Sequence, residues 1–368
     1  MYVHHCMHLS SFPSFSFHEL VSGRRKGLAA SFLRAGLRLA EIPYTWAVRR
    51  RNLRYDRGRA AIHRVAVPVV SVGNLTLGGT GKTPLVRWIV QWFLDRGVSA
   101  AIVSRGYGAR RAVENDEALE LRAELPGVGH VQNPDRVAAA REAIERFGCR
   151  AIVLDDAFQH RRLARDLDLV LLDASEPLGF QHVFPRGTLR EPVDGLRRAD
   201  MVLLSRADLI DAAQRNWLRG QVARYAPQAA WGELVHAPLG FVSREGLQQP
   251  IASLAGRRIA AFAGIGNPAG FRHTLESCGC RPAAFWEFPD HHAYTPADLA
   301  SLAARAKELD AAAVVCTRKD LVKIDAERLG DVPLWALKIG LDFLSGQELL
   351  EERLSALLSP SPSGKEPG

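Results

Sequence analysis

The chain has 368 residues, 47% of them hydrophobic, and its formal net charge at pH 7 is +8. This length fits two domains with sizeable cores, and no apolar run is long enough to span a bilayer. The positive charge favours an anionic partner, and the five scattered cysteines argue against a disulfide framework and indicate a reducing cytosol.

The N-terminal segment, residues 1–22, is rich in Ser, Phe and His and has no clear hydrophobic period. No long apolar core follows a basic start, so the segment does not have the pattern of a signal peptide. We expect either a disordered tail or an extension that results from an upstream start codon.

Residues 23–64 form a predicted basic amphipathic region. Apolar side chains recur at about helical spacing up to Ala40, and we expect Ile42 and Pro43 to close this helix. The region continues with Tyr44, Trp46, Arg49, Arg50, Arg51, Arg54, Arg57 and Arg59. Aromatic side chains beside clustered arginine are typical of a helix on an anionic membrane surface. The alternative is a helix packed on the protein body with a solvated basic face, and no recognisable motif supports nucleic acid as the partner.

The stretch from Ser71 to Pro84 reads SVGNLTLGGTGKTP and lies between an apolar β-branched run, 65–72, and apolar residues at helical spacing, 85–94. A strand, a glycine-rich loop and a helix are the context that a phosphate-binding loop requires. Glycine lets backbone N–H groups approach phosphate oxygens, and the helix dipole adds to the attraction. The strict motif has glycine at the position of Thr76, so a glycine turn without a ligand is the alternative.

The residues predicted to bind nucleotide are Thr76, Leu77, Gly78, Gly79, Thr80, Gly81, Lys82 and Thr83. Lys82 is expected to reach the β- and γ-phosphates, and the Thr83 hydroxyl is expected to hold Mg²⁺.

Apolar strands and helices alternate along the rest of the chain. The predicted strand Ala100–Ser104 leads into a glycine-flanked loop and an acidic segment, 114–117. The predicted strand 150–154 ends at Asp155-Asp156, the position of a Walker B magnesium ligand, with a helix N-cap as the alternative. The alternation predicts an α/β fold of the P-loop NTPase-like type, with a mostly parallel sheet and helices on both faces.

The predicted domain organisation places a P-loop domain at residues 65–229, linker strands at 230–250 and a second, smaller α/β domain at 251–358. Residues 359–368 are rich in Pro, Ser and Gly and are expected to be a disordered tail. In the second domain, His291 and His292 by themselves indicate a turn that starts a helix. A metal site made from these two residues and Asp290 is a further interpretation.

These motifs, in this order, resemble the tetraacyldisaccharide 4′-kinases of lipid A biosynthesis. The matching strings run from about Val67 to Ile324 and include VPVVSVGNLTLGGTGKTP, SRGYG, DDAFQH, RGTLREP, AGIGNPAGF, FPDHHAY and TRKDLVKI. The segment between Gly108 and Asp116 is shorter than is usual in the family, and Ala157 stands where glycine is usual.

The resemblance implies transfer of the ATP γ-phosphate to the 4′-hydroxyl of an acylated glucosamine disaccharide 1-phosphate, with ATP and Mg²⁺ bound in a cleft between two α/β domains. It also implies that Asp116 is the general base on the sugar hydroxyl, assisted by His291. Lys82 serves the phosphates, and Asp155 and Asp156 belong to the metal site, with Asp156 the better ligand candidate. The residues expected to line the site for the nucleotide or the anionic head group are Arg136, Gln159, His160 and Arg190.

The basic N-terminal helix is similar to the membrane-docking helix of that family. This similarity implies a peripheral location on the cytoplasmic face of the bacterial inner membrane, with an anionic membrane surface and no nucleic acid among the partners.

Three other functions are weighed against the kinase. A membrane-associated regulatory P-loop ATPase of the partition or switch class leaves the second α/β unit and the FPDHHAY string unexplained. A small GTPase is disfavoured because the candidate guanine-reading motifs at 205–208 and 317–320 lack the initial Asn. The third alternative is a membrane-binding protein without enzymatic activity.

Overall fold

A computed structural model describes residues 17–78, 80–106 and 116–358, with only the backbone described at residues 116 and 117. Gly79, the Asp116 side chain, most of the predicted N-terminal tail and the predicted C-terminal tail therefore lie outside the described residues. Residues 17–21, within the predicted N-terminal tail, form a short helix because Leu20 and Val21 are buried against the protein.

The helices, in chain order, are α1 (Phe17–Val21), α2 (Leu28–Asp56), α3 (Lys82–Asp95), α4 (Asp116–Glu124), α5 (Arg136–Phe147), α6 (Ala212–Tyr225), α7 (Pro268–Ser277), α8 (Pro296–Glu308), α9 (Arg318–Leu321) and α10 (Gln347–Leu358). The strands are β1 (Val69–Asn74), β2 (Ala100–Ser104), β3 (Gly129–Gln132), β4 (Ala151–Asp155), β5 (Leu167–Asp173), β6 (Met201–Ser205), β7 (Ala230–Val242), β8 (Gln248–Gln249), β9 (Ile259–Ala263), β10 (Pro282–Glu287), β11 (Ala313–Thr317), β12 (Arg328–Leu329) and β13 (Val332–Ser345).

Within the described residues the strands form one 13-stranded sheet, in the order β10-β9-β11-β13-β7-β6-β5-β1-β4-β2-β3, with β8 beside β7 and β12 beside β13. Seven strands form one parallel group: β7, β6, β5, β1, β4, β2 and β3. A second parallel group consists of β10, β9, β11 and β13. The long strands β7 and β13 are antiparallel and join the two groups. The predicted mostly parallel α/β sheet is confirmed.

Helices cover both faces of the sheet, because successive side chains of a strand point to opposite faces. Val70 and Val72 of β1 pack with Phe93 of α3, whereas Val69 packs with Val137 of α5. The second group of strands repeats this arrangement, with separate clusters on its two faces. The predicted two-sided covering is therefore confirmed.

The register of the two long strands makes the carboxyl ends of the two groups face each other. β6 pairs with β7 only from Ala230 to Glu233. Near the other end of β7, Phe241 pairs with Leu337 of β13, and Leu337 in turn pairs with Thr317, the last residue of β11. Because β11 is antiparallel to β7, it points back towards β6. About seven residues of strand, roughly 23 Å, separate the two edges. Loops at both edges consequently open into one cleft, the place where parallel sheets bind ligands.

The region 230–250, predicted to form linker strands, contains one long continuous strand, β7, followed by the two-residue strand β8. Pairing with β13 along most of its length holds β7 together, and a register shift opposite Lys338 and Ile339 accommodates the irregularity at Pro238 and Gly240. The sequence pattern did not reveal this partner because it comes about a hundred residues later in the chain.

The prediction that Ile42 and Pro43 end the first long helix was wrong, since α2 continues through Pro43 to Asp56. Proline inside a helix costs about 3 kcal/mol because a backbone hydrogen bond is lost. Contacts after the proline offset this cost: the Tyr44 hydroxyl donates to Arg190 O, and the Asn52 amide donates to Glu191. No helix in the described part of the chain is long and apolar enough to cross a membrane.

Candidate active site

The glycine-rich loop after β1 is held by a neighbouring segment. The Leu77 N–H donates to Thr188 O at 2.7 Å, and the Arg190 N–H donates to Leu75 O at 2.7 Å. Gly81 has φ +77° immediately before α3 begins at Lys82. This left-handed backbone suits glycine, and the N-terminus of α3 presents its N–H groups at the end of the loop. The described end of the loop thus places a helix N-terminus where an anion could bind.

Lys82 lies at the centre of a polar group beside this loop. Its ammonium is 3.4 Å from Asn74 Oδ1 at the end of β1 and 3.4 Å from Asp156 Oδ1. The Asn74 side chain is fully buried and donates to Thr76 O at 2.9 Å, so it links the loop to the lysine.

Asp156 follows β4 and is shared by two cations. Arg190 Nη1 lies 2.9 and 2.8 Å from its two carboxylate oxygens, in addition to the contact with Lys82. Burial opposes ionisation, but the charges of Lys82 and Arg190 outweigh it and lower the pKa of Asp156 to about 2. The carboxylate is consequently ionised throughout the neutral range.

Asp155, Arg136 and His160 form a second, adjacent group. Asp155 ends β4 opposite Val72 of β1, and Arg136 is almost completely buried at the start of α5. Burial lowers the pKa of Arg136, although the charges of Asp156 and Asp155 oppose this effect. Burial and then the charge of Arg136 lower the pKa of His160 to about 4, so this imidazole is neutral at pH 7.

Gln159 contacts protein groups on two sides. Its amide nitrogen donates to Asn74 O at 2.9 Å and to Glu191 Oε1 at 3.1 Å. Glu191 is fully buried and also accepts from Asn52 at 2.7 Å and from Arg198 at 2.8 Å. Both amide hydrogens of Gln159 therefore bind protein oxygens, and Gln159 links the site to Asn52 of α2 through Glu191.

Beneath the loop lie two residues that the sequence analysis missed. Ser205, at the end of β6, donates to Thr80 O at 2.8 Å. A β-carbon on Gly81 would lie 2.6 Å from Cε1 of His236 and closer still to Nε2. Burial and the charge of Arg206 lower the pKa of His236 to about 4, although Asp173 opposes the shift. A neutral imidazole from β7 thus packs directly against the loop.

Across the cleft, His291 is displayed by the turn after β10. Its backbone φ is +58°, its N–H donates to Gly264 O at 3.2 Å, and its side chain is 62% exposed. The neighbouring ring of His292 packs at a 31° tilt against Phe288, and its Nε2 lies 3.1 Å from Asp298 Oδ2, so His292 has a structural role. Among the described residues no group of three or more His, Cys, Asp or Glu side chains is arranged to hold a metal ion.

The two edges of the cleft are also joined at one end. Arg87 of α3 donates to Ile339 O of β13 at 2.6 Å and lies 2.7 Å from Glu124, at the end of α4. Arg318, the first residue of α9, lies 3.6 Å from the same carboxylate. The helix that follows the glycine-rich loop is therefore tied to the second group of strands.

The side chains around the loop suit an oxygen-rich anionic ligand. Four buried polar atoms there have no hydrogen-bond partner in the described ranges: Thr80 Oγ1, Arg136 Nε, His160 Nε2 and Arg190 Nε. Hydroxyl, guanidinium and imidazole groups can all donate to phosphate oxygens. The Thr83 hydroxyl and the carboxylates of Asp155 and Asp156 are oxygen donors of the kind that Mg²⁺ prefers, and a phosphate-bound Mg²⁺ needs only one or two of them.

The structure thus brings together the described residues of the loop, 76–78 and 80–83, with Asp155, Asp156 and all four residues expected to line the site, while His291 lies at the opposite edge. The backbone of Asp116 begins α4, and its side chain lies outside the described residues. Sequence reasoning missed Asn74 and Glu191, although both occur in the strings VGNLT and LREP that carry the resemblance. Nothing in the sequence indicated His236.

Known proteins match almost the whole chain. A sequence model of the family described as Tetraacyldisaccharide-1-P 4'-kinase matches residues 33–359. A tetraacyldisaccharide 4'-kinase of Anaeromyxobacter sp. (strain K) is 41% identical over 359 residues, covering 92% of this chain and 94% of its own length. A relative of the same name from Chlorobaculum parvum is 38% identical over 356 residues, covering 90% of this chain and 96% of its own.

A solved structure agrees with these matches. The crystal structure of LpxK from Aquifex aeolicus in complex with ATP superposes with a TM-score of 0.71 at 27% identity, covering 89% of this chain and 100% of that one. The match extends over the P-loop part and the second α/β part alike, which the regulatory ATPase alternative does not explain. The chain belongs to the tetraacyldisaccharide-1-P 4'-kinase family.

Proposed function

We propose that this protein transfers the γ-phosphate of ATP to the 4′-hydroxyl of tetraacyldisaccharide 1-phosphate. The observation that carries the proposal is the placement of Lys82, Asp156 and Arg190 beside the glycine-rich loop, at an edge that faces the loop of His291. Family membership supports the same reaction, and a related protein, LpxK from Aquifex aeolicus, has been crystallised with ATP.

The loop and its cations bind and orient the triphosphate. The N–H groups at the start of α3 and the Lys82 ammonium hold the β- and γ-phosphates, and Arg190 and Arg136 add positive charge nearby. Phosphoryl transfer spreads negative charge over the equatorial oxygens and the leaving oxygen. Cations held in a partly dry site stabilise that charge more strongly than solvated ones.

A magnesium ion is the cofactor that accompanies ATP in this proposal. Thr83 and Asp156 would hold it, with Asp155 beside them. When bound, Mg²⁺ neutralises charge on the phosphate oxygens and favours departure of the diphosphate.

Two residues activate the acceptor hydroxyl, one at the start of α4 and one in the loop after β10 of the second strand group. Asp116 accepts the proton of the sugar hydroxyl as the new oxygen–phosphorus bond forms, and His291 assists it. Asp116 begins α4, whose last residue, Glu124, lies beside Arg318 of α9, and α9 directly follows β11 at the edge of the cleft that carries His291. These contacts support a common position for the two groups in the cleft.

Helix α2 docks the protein onto an anionic membrane surface, the cytoplasmic face of the bacterial inner membrane. Its apolar side chains spaced three, four or seven residues apart are exposed: Leu28, Phe32, Leu39, Ile42, Trp46 and Leu53. Such a stripe costs free energy in water and is favourable at a lipid interface. The acyl chains of the substrate lie in the same interface.

A basic cavity at the end of this stripe supports the same location. The cavity has a volume of about 650 Å³ and lies between the last turns of α2 and residues 192–198. Five of its arginines form no ion pair with a carboxylate anywhere in the described part of the chain: Arg49, Arg50, Arg54, Arg57 and Arg59. Uncompensated arginine beside an apolar stripe attracts anionic lipid.

The test is incubation of the purified protein with labelled ATP and tetraacyldisaccharide 1-phosphate, followed by chromatography. We expect label in a bisphosphorylated lipid, dependent on Mg²⁺ and absent with Lys82→Ala. ATP hydrolysis that does not depend on the lipid, with no labelled lipid formed, would overturn the proposal and favour a regulatory ATPase.

A further inference from the structure

We propose that Asp320 is a positioning residue for His291, acting through the loop of residues 288–294. The inference rests on the proposed role of His291 in phosphoryl transfer and adds the group that fixes its place. Asp320 belongs to the short helix α9 that follows β11, and it makes no direct contact with His291 among the interactions described.

Asp320 is fully buried, and its carboxylate gathers donors from three segments. The Gly264 N–H donates to its two oxygens at 3.3 and 3.2 Å, the Tyr294 hydroxyl at 2.9 Å, and the Thr317 hydroxyl at 2.6 Å. The Lys323 ammonium lies 3.4 Å away and balances the charge. A buried carboxylate is stable only with such a set of partners.

Two of these donors flank the loop that carries His291. Gly264 accepts the His291 N–H through its carbonyl oxygen, and it follows β9 directly. Tyr294 closes the loop at its other end and packs its ring edge-on against Phe262 and Phe288. The carboxylate therefore fixes both sides of the loop at one point.

The space around Gly264 shows how closely these groups are packed. A β-carbon there would lie 2.8 Å from the Tyr294 hydroxyl, 3.1 Å from Asp320 Oδ1 and 3.3 Å from the β-carbon of His292. The loop that carries His291 packs on the backbone of Gly264, and the Gly264 N–H in turn binds the Asp320 carboxylate.

The loop needs such support because His291 has an unfavourable backbone conformation. A φ of +58° is rare for residues other than glycine and persists only when the surroundings enforce it. The imidazole is 62% exposed, and its Nε2 lies 3.9 Å from Asp290 Oδ2. The His291 N–H donates to Asp290 Oδ1 at 3.0 Å as well as to Gly264 O, so the backbone of the turn is held at this residue. The ring extends from that backbone, which Asp320 anchors through Gly264 and Tyr294.

The same short helix also reaches the helix that begins at Asp116. Arg318 lies 3.6 Å from Glu124, the last residue of α4, while Asp320 holds the His291 loop. One helical turn therefore fixes two elements that carry the proposed base and its partner.

Asp320→Asn tests the inference, because an amide places an N–H₂ group against donors that need an acceptor. The milder variant Tyr294→Phe removes one of the donors and keeps the ring. Asp168→Asn is the matched control: Asp168 is also a buried carboxylate, paired with Arg165 at 2.6 Å, but it lies near the amino end of β5, away from the cleft.

We expect Asp320→Asn to lower kcat about as much as His291→Ala does, with the KM for ATP little changed. In a His291→Ala background, Asp320→Asn should lower kcat less than about threefold further, because groups that act as one unit are not additive. Tyr294→Phe should lower kcat in the same direction and by less. Asp168→Asn should leave kcat unchanged even if its melting temperature falls.

Histidine NMR gives a readout that does not depend on turnover. The ring signal of His291, assigned by its absence in His291→Ala, should shift or broaden in Asp320→Asn and Tyr294→Phe but not in Asp168→Asn. An unmoved signal with wild-type kcat in both cleft variants would overturn the positioning role while His291→Ala remains impaired. Wild-type kcat in His291→Ala would instead overturn the role of His291, and the positioning role with it.

Discussion

The Lys82 ammonium lies 3.4 Å from Asp156 Oδ1, and the guanidinium of Arg190 approaches the same carboxylate from another side at 2.8 Å. Two cations therefore share one anion, and the group keeps a net positive charge next to the loop amides. This arrangement places Lys82 at the proposed phosphate site. The excess charge is what an incoming triphosphate would neutralise.

The first prediction concerns this lysine. Lys82→Ala should lower kcat by at least about 10²-fold, because a preorganised donor to the transferring phosphate is lost. The measurement is label transfer from ATP to the lipid at saturating substrates. Lys307→Ala is the control, since Lys307 is 78% exposed and 3.9 Å from Asp331. Turnover within a few-fold of the wild type in Lys82→Ala would contradict the assigned role.

The second prediction concerns membrane attachment. Replacing Trp46 and the arginines 49–51 by serine should move the protein from the membrane fraction to the supernatant. The change removes an exposed aromatic side chain and three positive charges from α2. Attachment of the wild type should weaken as salt rises, because counter-ions screen the attraction of arginine to anionic lipid. Fractionation of cells, and sedimentation with anionic vesicles at two salt concentrations, measure both effects.

A matched control for the membrane variant is available on α6. Trp217 is exposed, as are Arg219 and Arg224 on the same helix. Serine at these three positions should leave the fractionation unchanged, because α6 has no comparable apolar stripe. If the two variants behave alike, docking through α2 is wrong.

Local sequence patterns predicted those secondary-structure elements that are determined by residues close together in the chain. The strand Ala100–Ser104 has the predicted bounds, because it is an apolar run that is buried in the sheet and bounded by polar residues. The loop between β1 and α3 was likewise evident, since glycines and Lys82 lie between an apolar strand and a helix, even though Thr76 replaces a glycine of the strict motif. Most of the residues that line the loop were identified through the family resemblance.

Other features depend on partners distant in the chain and left no local pattern. β7 is one strand because β13 pairs with it, and α2 passes Pro43 because Tyr44 and Asn52 gain contacts with the 190–191 segment. His236 packs against Gly81 only because β7 adjoins β6 in the sheet. In each case a contact with a distant segment outweighs a local preference. Sequence reasoning cannot predict that outcome unless the segment in contact is known.

The contact between Gly81 and His236 gives a third prediction. Alanine at Gly81 would combine a positive φ with a clash against the imidazole, whereas Gly148, with φ +57°, has open space around it. Gly148→Ala should therefore cost only the strain, about 1–2 kcal/mol. Gly81→Ala should reduce the free energy of unfolding by more than that, as measured by urea denaturation. In a His236→Ala background the cost of Gly81→Ala should fall to that of Gly148→Ala, and an undiminished cost would contradict the packing described.

The fourth prediction concerns stability at mildly acidic pH. Burial is the main cause that lowers the pKa values of His130, His160 and His236 to about 4, from 6.5 for an ordinary histidine. Between these values the unfolded chain binds more protons than the folded one, so the free energy of unfolding falls as pH decreases from about 6.5 towards 4. The low pKa of Asp156 matters only below this window, and the raised pKa of Asp168 acts in the opposite direction.

A variant isolates the histidine contribution to this pH dependence. His130 faces Ser104 at 2.9 Å and is affected by the charge of Arg122, and His130→Gln keeps a polar group at this position. Urea unfolding at pH 7.5, 6 and 5 should show a smaller loss of stability in His130→Gln than in the wild type. Equal losses in the two proteins would mean that His130 is not held neutral in the folded state.

The last prediction concerns the proposed general base. An ordinary aspartate is ionised at neutral pH and can accept the proton of the sugar hydroxyl. General base catalysis typically contributes about 10²–10⁴-fold, so Asp116→Ala should lower kcat by roughly that factor. The affinity for ATP should hardly change, because Lys82 and the loop amides hold the nucleotide. His291→Ala should lower kcat by a similar or smaller factor, and His273→Ala, an exposed histidine on α7, should have no effect.

The double variant decides whether the two groups cooperate. If Asp116 and His291 act as one unit, kcat of the double variant should be little lower than that of Asp116→Ala alone. A fully multiplicative loss would mean that the two residues act independently. Wild-type kcat in Asp116→Ala would refute the assignment of the base. Asp155, a buried carboxylate at the carboxyl end of β4, would then be the next residue to replace, with binding of ATP measured separately to distinguish a base from a metal ligand.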